Sequence, residues 1–221
     1  MFMKLVMVGG HSRNVGKTSV VAGIIAGLPE LGWTAAKITQ FGHGVCSVNG
    51  KVCGCSVSEH QFSITEERQL ATGTDTSRFL DAGARRSLWI RTKQGELARA
   101  LPAFTQKIEA DEYVIVESNS LRRFMEPELY IQVLELANPD FKVSAQQFFD
   151  LSDAYILVRK SGQVEPIPTE NALLSSEILK NKPYFVVCEE NQFMSEEVIE
   201  FVRSKLAVGA PRVARRVQPA N

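Results

Sequence analysis

Short, unbroken apolar runs recur along this chain, separated by stretches whose apolar residues repeat at helical spacing. The runs are KLVMV, TAAKI, SLWIR, EYVIVE, ELYIQVLE, AYILV and PYFVVC. Several lack a polar residue at alternate positions, which is the pattern of strands covered on both faces. Between them the spacing predicts helices over Lys17–Leu28, Gln94–Ile108, Ser144–Leu151, Thr169–Leu179 and Ser195–Leu206. Pro102 falls inside the second and is expected to kink or interrupt it. Ser195, followed by Glu196 and Glu197, reads as an N-cap with acid in the first turn. Alternating strands and helices imply an α/β fold, three-layered, with about seven mostly parallel strands.

Residues 41–74 break this pattern. They are rich in Gly, Ser, Cys and polar residues and show little periodicity. A stretch this long inside a compact domain is commonly functional or disordered. The organisation expected is therefore one domain over residues 1–221, carrying a Cys-rich insertion at 41–74. A chain of 221 residues can bury roughly 70% of its unfolded surface, enough for a full core.

Composition adds exclusions. Hydrophobic residues are 44% and charged residues 23%, as in ordinary globular proteins. Lys+Arg and Asp+Glu both total 25, so no excess charge points to nucleic acid or an anionic membrane. The start MFMKLVMVGG reaches glycine too soon for a signal core or a membrane span, so a cytoplasmic protein is expected. Four cysteines in such a chain are expected to be free or metal-bound thiols.

The chemistry starts at LVMVGGHSRNVGKTSVV, a strand ending in two glycines, a polar turn, then Gly-Lys-Thr opening a helix. This is the context of a phosphate-binding loop. Backbone N–H groups of the turn and of the helix's first turn converge on phosphate oxygens. The residues expected around nucleotide are Gly10, Asn14, Val15, Gly16, Lys17, Thr18 and Ser19. Lys17 would reach the β/γ oxygens and the Thr18 hydroxyl would take a place on Mg²⁺. Counted from Gly10, the spacing is G-x-x-x-x-x-G-K-T, one residue longer than usual, with His11 where the first glycine commonly stands. EYVIVES ends an apolar strand in Glu117, at the sheet end where ligands bind, and has the form of the acid that steers metal or water.

The lengthened loop resembles that of dethiobiotin synthetase and the cobyrinate amidases, within the wider SIMIBI class of P-loop NTPases. TDTSRFLDAGARRSLWIRT, Thr74 to Thr92, resembles the molybdopterin-guanine dinucleotide biosynthesis protein B family, and the preceding strand AAKITQFGHG fits the same order of pieces. The resemblance covers about the first 120 residues. It implies a slow GTPase or ATPase assisting molybdenum cofactor assembly, with Lys37, Asp75 and Glu117 facing the phosphate pocket and Asp75 or Glu117 as the catalytic acid beside Lys17. The continuation SNSL after Glu117 departs from the glycine common in that family, and the Cys-rich stretch is foreign to it. Asn-Lys-x-Asp, the guanine-reading signature, is missing, and the loop holding Glu189, Glu190 and Asn191 is where base contacts are expected; GTP and ATP stay open. Two alternatives stand beside this reading: an ATP-dependent ligase activating a carboxylate held by Lys37, and a nucleotide-gated metallochaperone.

His43, Cys46, Cys53, Cys55 and His60 put five soft ligands within eighteen residues. Cys46, Cys53, Cys55 and His60 make a candidate zinc set, with His43 held nearer the nucleotide. The Cys53-x-Cys55 pair is similar to one at the dimer interface of nickel-handling ATPases of this class, which implies a homodimer; a cofactor-assembly protein is the other expected partner. Arg13, inside the loop, is a candidate for neutralising transferred charge. His11 reads as a turn residue, and Arg85–Arg86 as a solvated helix end or a pair near anionic ligand. Trp33, Trp89 and Cys188 read as core, and QQFFDL as a packing face.

Overall fold

A computed structural model describes residues 3–41, 62–135, 138, 140–159, 181–188 and 194–207. The candidate set Cys46, Cys53, Cys55 and His60, with His43, lies outside the described residues. So do the expected helix Thr169–Leu179 and the Glu189–Asn191 loop.

Eight strands form one sheet: β1 (Lys4–Gly10), β2 (Thr34–Phe41), β3 (Phe62–Glu67), β4 (Arg86–Lys93), β5 (Tyr113–Glu117), β6 (Leu129–Glu135), β7 (Ala154–Arg159) and β8 (Tyr184–Cys188). Their order is β3-β4-β2-β5-β1-β6-β7-β8. β3 runs antiparallel to β4, and every other pairing is parallel. The helices are α1 (Lys17–Gly27), α2 (Asp75–Asp81), α3 (Leu97–Ile108), the short α4 (Val143–Gln146) and α5 (Glu196–Ala207). The three-layer α/β fold expected from the alternating pattern is the one observed.

Period-two alternation shows why the central strands read as unbroken apolar runs. In β1, Val6 and Val8 pack into one core with Val20, Ile24 and Ile25 of α1, Phe79 of α2 and Val198 and Val202 of α5. Leu5 and Met7 point the other way, into a second core with Leu97, Ala100, Phe104 and Ile108 of α3. Both faces are covered, so no alternate position can be polar. The fully buried Trp33 closes the first core and donates from Nε1 to the carbonyl of Leu28 at 3.0 Å.

Four expectations need correction. The seven apolar runs are all strands, and the eighth, β3, lies within the stretch that showed no periodicity. α2 also escaped notice. Pro102 does not interrupt α3, which is one helix from Leu97 to Ile108. Its ring is exposed, so the carbonyl of Ala98, four residues back, loses its amide partner on the side facing water. Arg85 and Arg86 are neither a helix end nor near the turn from β1 to the Lys17–Gly27 helix. They stand at the start of β4, at the far end of the parallel sheet, pairing with Asp111 and, for Arg86, also with Glu66. Among the described residues no helix is long and apolar enough to cross a membrane.

Candidate functional site

The centre of the site is the turn from β1 to α1. Gly16 precedes the helix at φ 89° and ψ 8°, a left-handed conformation that a Cβ would strain, and it offers no capping side chain. The amides of Lys17, Thr18 and Ser19 begin the helix without carbonyl partners inside it; the first intrahelical bond runs from Val20 N–H to Gly16 O at 2.9 Å. Asn14 is also left-handed, at φ 56°. Arg13 and Asn14 are exposed on the outside of the bend, whereas the Val15 side chain is buried in the core, so Val15 can offer only its backbone.

The Lys17 side chain runs back across the loop. Its Nζ donates to the Ser12 carbonyl at 2.8 Å. A Cβ at Gly10 would lie 2.8 Å from Lys17 Cδ and 2.9 Å from Cγ, so glycine at that position leaves the path open. Burial holds the Lys17 ammonium below its ordinary lysine value; Glu117 and Asp75 oppose that, and Lys37 adds to it.

His11 accounts for the lengthened loop. It is fully buried, its backbone N–H continuing the sheet to Val133 O at 3.2 Å. Nδ1 faces the Glu135 amide at 3.4 Å and Nε2 faces the Asn138 carbonyl at 3.2 Å. An accepting Nδ1 and a donating Nε2 describe a neutral imidazole, and burial lowers its pKa in the same direction. Where a glycine commonly starts this loop, His11 ties it to the segment after β6. Asn138 Nδ2 adds a bond to Ser12 Oγ at 2.8 Å.

The acids arrive from the other side of β1. Register places Val8 opposite Glu117 and Glu117 opposite Lys37 across three adjacent strands. Glu117 therefore meets both the loop and β2. Its Oε2 accepts from Thr18 Oγ1 at 2.7 Å, and its Oε1 accepts from Lys37 Nζ at 2.9 Å. Lys37 Nζ also donates to Asp75 Oδ2 at 2.5 Å. Burial works against the Lys37 ammonium, yet Glu117 and Asp75 together leave its pKa raised. Asp75 owes its place to α2, whose N-cap Thr74 accepts from Ser77 N–H at 3.1 Å. Arg78 of α2 reaches α1 and donates to Ser19 Oγ at 2.9 Å, so the Ser19 hydroxyl already has a partner.

Lys17, Thr18, Ser19, Lys37, Asp75 and Glu117 thus meet at the carboxyl ends of β1, β2 and β5, where open parallel sheets bind ligands. Thr18 Oγ1 and Glu117 Oε2 are hard oxygen donors at a separation close to the ~2.9 Å between neighbouring ligands on octahedral Mg²⁺. The residues fit that ion. A small cleft beside them is lined by Lys37, Thr74, Asp75, Thr76 and Trp89. Trp89 is half-buried, held by Thr39 Oγ1 at 3.0 Å and stacked under Arg91 at 4.6 Å. Among the described residues no group of three or more His, Cys, Asp or Glu side chains is placed to hold a metal ion.

Two residues escaped the sequence. Asn119 makes a reciprocal pair with Gly10: its Oδ1 accepts from Gly10 N–H and its Nδ2 donates to Gly10 O, each at 2.8 Å. Lys142 donates its backbone N–H to His11 O at 2.7 Å. Both follow the carboxyl ends of strands flanking β1, and that position was the available signal.

No family model matches the chain, and no curated protein matches it. Among solved structures, LpxK from Aquifex aeolicus, determined with ATP, is similar over 83% of this chain, at 15% identity and a TM-score of 0.47. The matched part is 53% of the LpxK chain, so this protein spans about half of that length. HypB from Helicobacter pylori, determined with nickel, is similar over 92% of this chain and 87% of its own, at 13% identity and a TM-score of 0.48.

Proposed function

We propose that the protein is a P-loop NTPase that binds a Mg-nucleoside triphosphate between β1 and α1 and hydrolyses it slowly. The observation that carries this reading is the meeting of Lys17, Thr18 and Glu117 around an uncapped helix N-terminus preceded by left-handed Gly16. The amides of residues 16–19 and the Lys17 ammonium would hold the phosphates. Thr18 and Glu117 would hold Mg²⁺, which supplies charge neutralisation to the phosphoryl group. Glu117, fixed by Thr18 and Lys37, would orient water, and Asp75 keeps Lys37 in place. Lys37 already has two carboxylate partners. A substrate carboxylate would have to displace one, and this counts against the ligase reading.

The role we assign to that activity is accessory work in metal-cofactor assembly, of the molybdenum cofactor type, with GTP or ATP as nucleotide. The segment Asp75-Thr76-Ser77-Arg78, which supplies one acid to the site and one link to α1, supports it together with the Ala82-Gly83-Ala84 turn. On sequence grounds alone, the same reading keeps Cys46, Cys53, Cys55 and His60 as a zinc set and expects a homodimer; zinc analysis and light scattering of the purified protein test those two points. Phosphate release from ATP and GTP tests the central one. Glu117→Gln is expected to lower turnover at least about 100-fold and to retain nucleotide. Turnover unchanged in that variant removes Glu117 from the chemistry. Release that depends on an added small carboxylate would favour the ligase.

A further inference from the structure

Three cations lie on or beside the phosphate loop: the exposed Arg13 and the helix-start Lys17 within one short stretch, and Lys142 from the segment after β6. The first two were legible as loop residues. Lys142 is 124 positions further along than Thr18, and its placement is built. The segment that carries it is fastened to the loop by the Lys142 N–H bond to His11 O at 2.7 Å, by Asn138 Nδ2 to Ser12 Oγ at 2.8 Å, and by His11 Nε2 against Asn138 O at 3.2 Å. The Phe141 ring meets His11 edge-on at 5.9 Å.

Lys142 is half-buried, and among the described residues its ammonium has neither a hydrogen bond nor an ion pair. Its surroundings are cationic. Burial disfavours its charge most, Lys17, Arg13 and Lys37 add to that, and Glu117 opposes them. Glu117 is already shared by Thr18 and Lys37. A lysine fastened into such a place costs the unliganded protein stability. Charges held unfavourably in this way gather at sites made for a counter-charge.

We propose that Lys142 completes the site as a second phosphate-contacting ammonium, reaching a bound polyphosphate from the β6 side of β1 while Glu117 and Lys37 stand on the β5 side. This rests on the nucleotide reading above and adds a contact to it. The ligand class is a polyanion with at least two phosphates, because Lys17 and Lys142 approach from different elements.

The test compares wild type, Lys142→Met, Lys142→Arg and Lys17→Ala by calorimetric titration with Mg·ATP and Mg·GTP, and by thermal melting without nucleotide. Lys142→Met is expected to weaken affinity about tenfold to a hundredfold, the size of a lost charge-assisted hydrogen bond. Lys142→Arg should restore affinity to within about threefold, since only the cation is required. The unliganded Met variant should melt at or above the wild-type temperature, because an unpaired cation among like charges is gone. A merely structural lysine would give the reverse: a lower melting temperature, with affinity lost in proportion and not rescued by arginine. That result overturns the proposal. Unchanged affinity in Lys142→Met, with Lys17→Ala losing binding, also overturns it and leaves the site reading intact. A wild-type protein that binds neither nucleotide removes the site reading, and Lys142 with it.

Discussion

Replacing Asn119 with alanine isolates the contact that joins the acid-bearing strand to the turn from β1 to α1. In the native protein its side-chain amide answers both polar groups of Gly10 at 2.8 Å, and Gly10 is buried. Alanine leaves a buried N–H and a buried C=O without partners, about 1–3 kcal/mol each. Asn119 is itself half-buried, so water reaches part of the gap, and the lower half of that range applies. The sum is about 2–4 kcal/mol. For a domain of this size each kcal/mol lowers the melting temperature by about 2–4 °C, so a fall of about 4–16 °C is expected by differential scanning calorimetry of the unliganded protein. Asn119→Asp should give no rescue relative to alanine, because one carboxylate oxygen still accepts from Gly10 N–H but the other faces Gly10 O acceptor to acceptor. A melting temperature within about 1 °C of wild type would refute the reasoning. It would mean that the loop's first residue is held by the sheet alone.

Three further outcomes follow from the same geometry. Lys37→Met should destabilise by about 3 kcal/mol and more than Asp75→Asn does, because it strands Glu117, whose side chain is 6% exposed, whereas that of Asp75 is 32% exposed; equal urea midpoints would contradict the ranking. Stability should also respond to pH through Lys142, which burial, assisted by Lys17 and Arg13, lowers to about 8. Between pH 8 and the ordinary lysine value of about 10.4 the unfolded chain binds the extra proton, so this group makes stability rise with pH there. Lys17, also lowered, acts in the same direction, and the rise in melting temperature from pH 7.5 to 9.5 should therefore shrink without vanishing in Lys142→Met; identical slopes would contradict it. Glu117→Gln, expected to cut turnover while keeping nucleotide, should show that split as a fall in kcat with affinity retained.

What could be read in advance was whatever is local. The strands of the central sheet announced themselves because both faces are buried, so β1, β5 and β7 carry continuous apolar residues and β6 is broken only by Gln132 before its final Glu135. β3 carries no such run. Phe62–Glu67 is a half-exposed edge strand, defined by its antiparallel register against β4, and only tertiary pairing makes it a strand. α2 is seven residues long, too short to show a period, and its one local signal was the Thr74 cap. The turn from β1 to α1 was legible as a whole since strand end, turn, lysine and helix lie within one stretch. Lys37, Asp75 and Glu117 could be named, but their meeting depends on the β2–β5 register and on where α2 begins. Asn119 and Lys142 had no motif. Their partners lie more than a hundred residues away, and no local chemistry distinguishes a loop asparagine that closes on Gly10 from one that faces water.

Calorimetric titration of Mg·ATP and Mg·GTP into wild type and Lys17→Ala is the most direct trial of the phosphate-loop assignment. One nucleotide should bind per wild-type chain, and the alanine variant should show no measurable binding. Equal affinity in the two proteins would contradict the account.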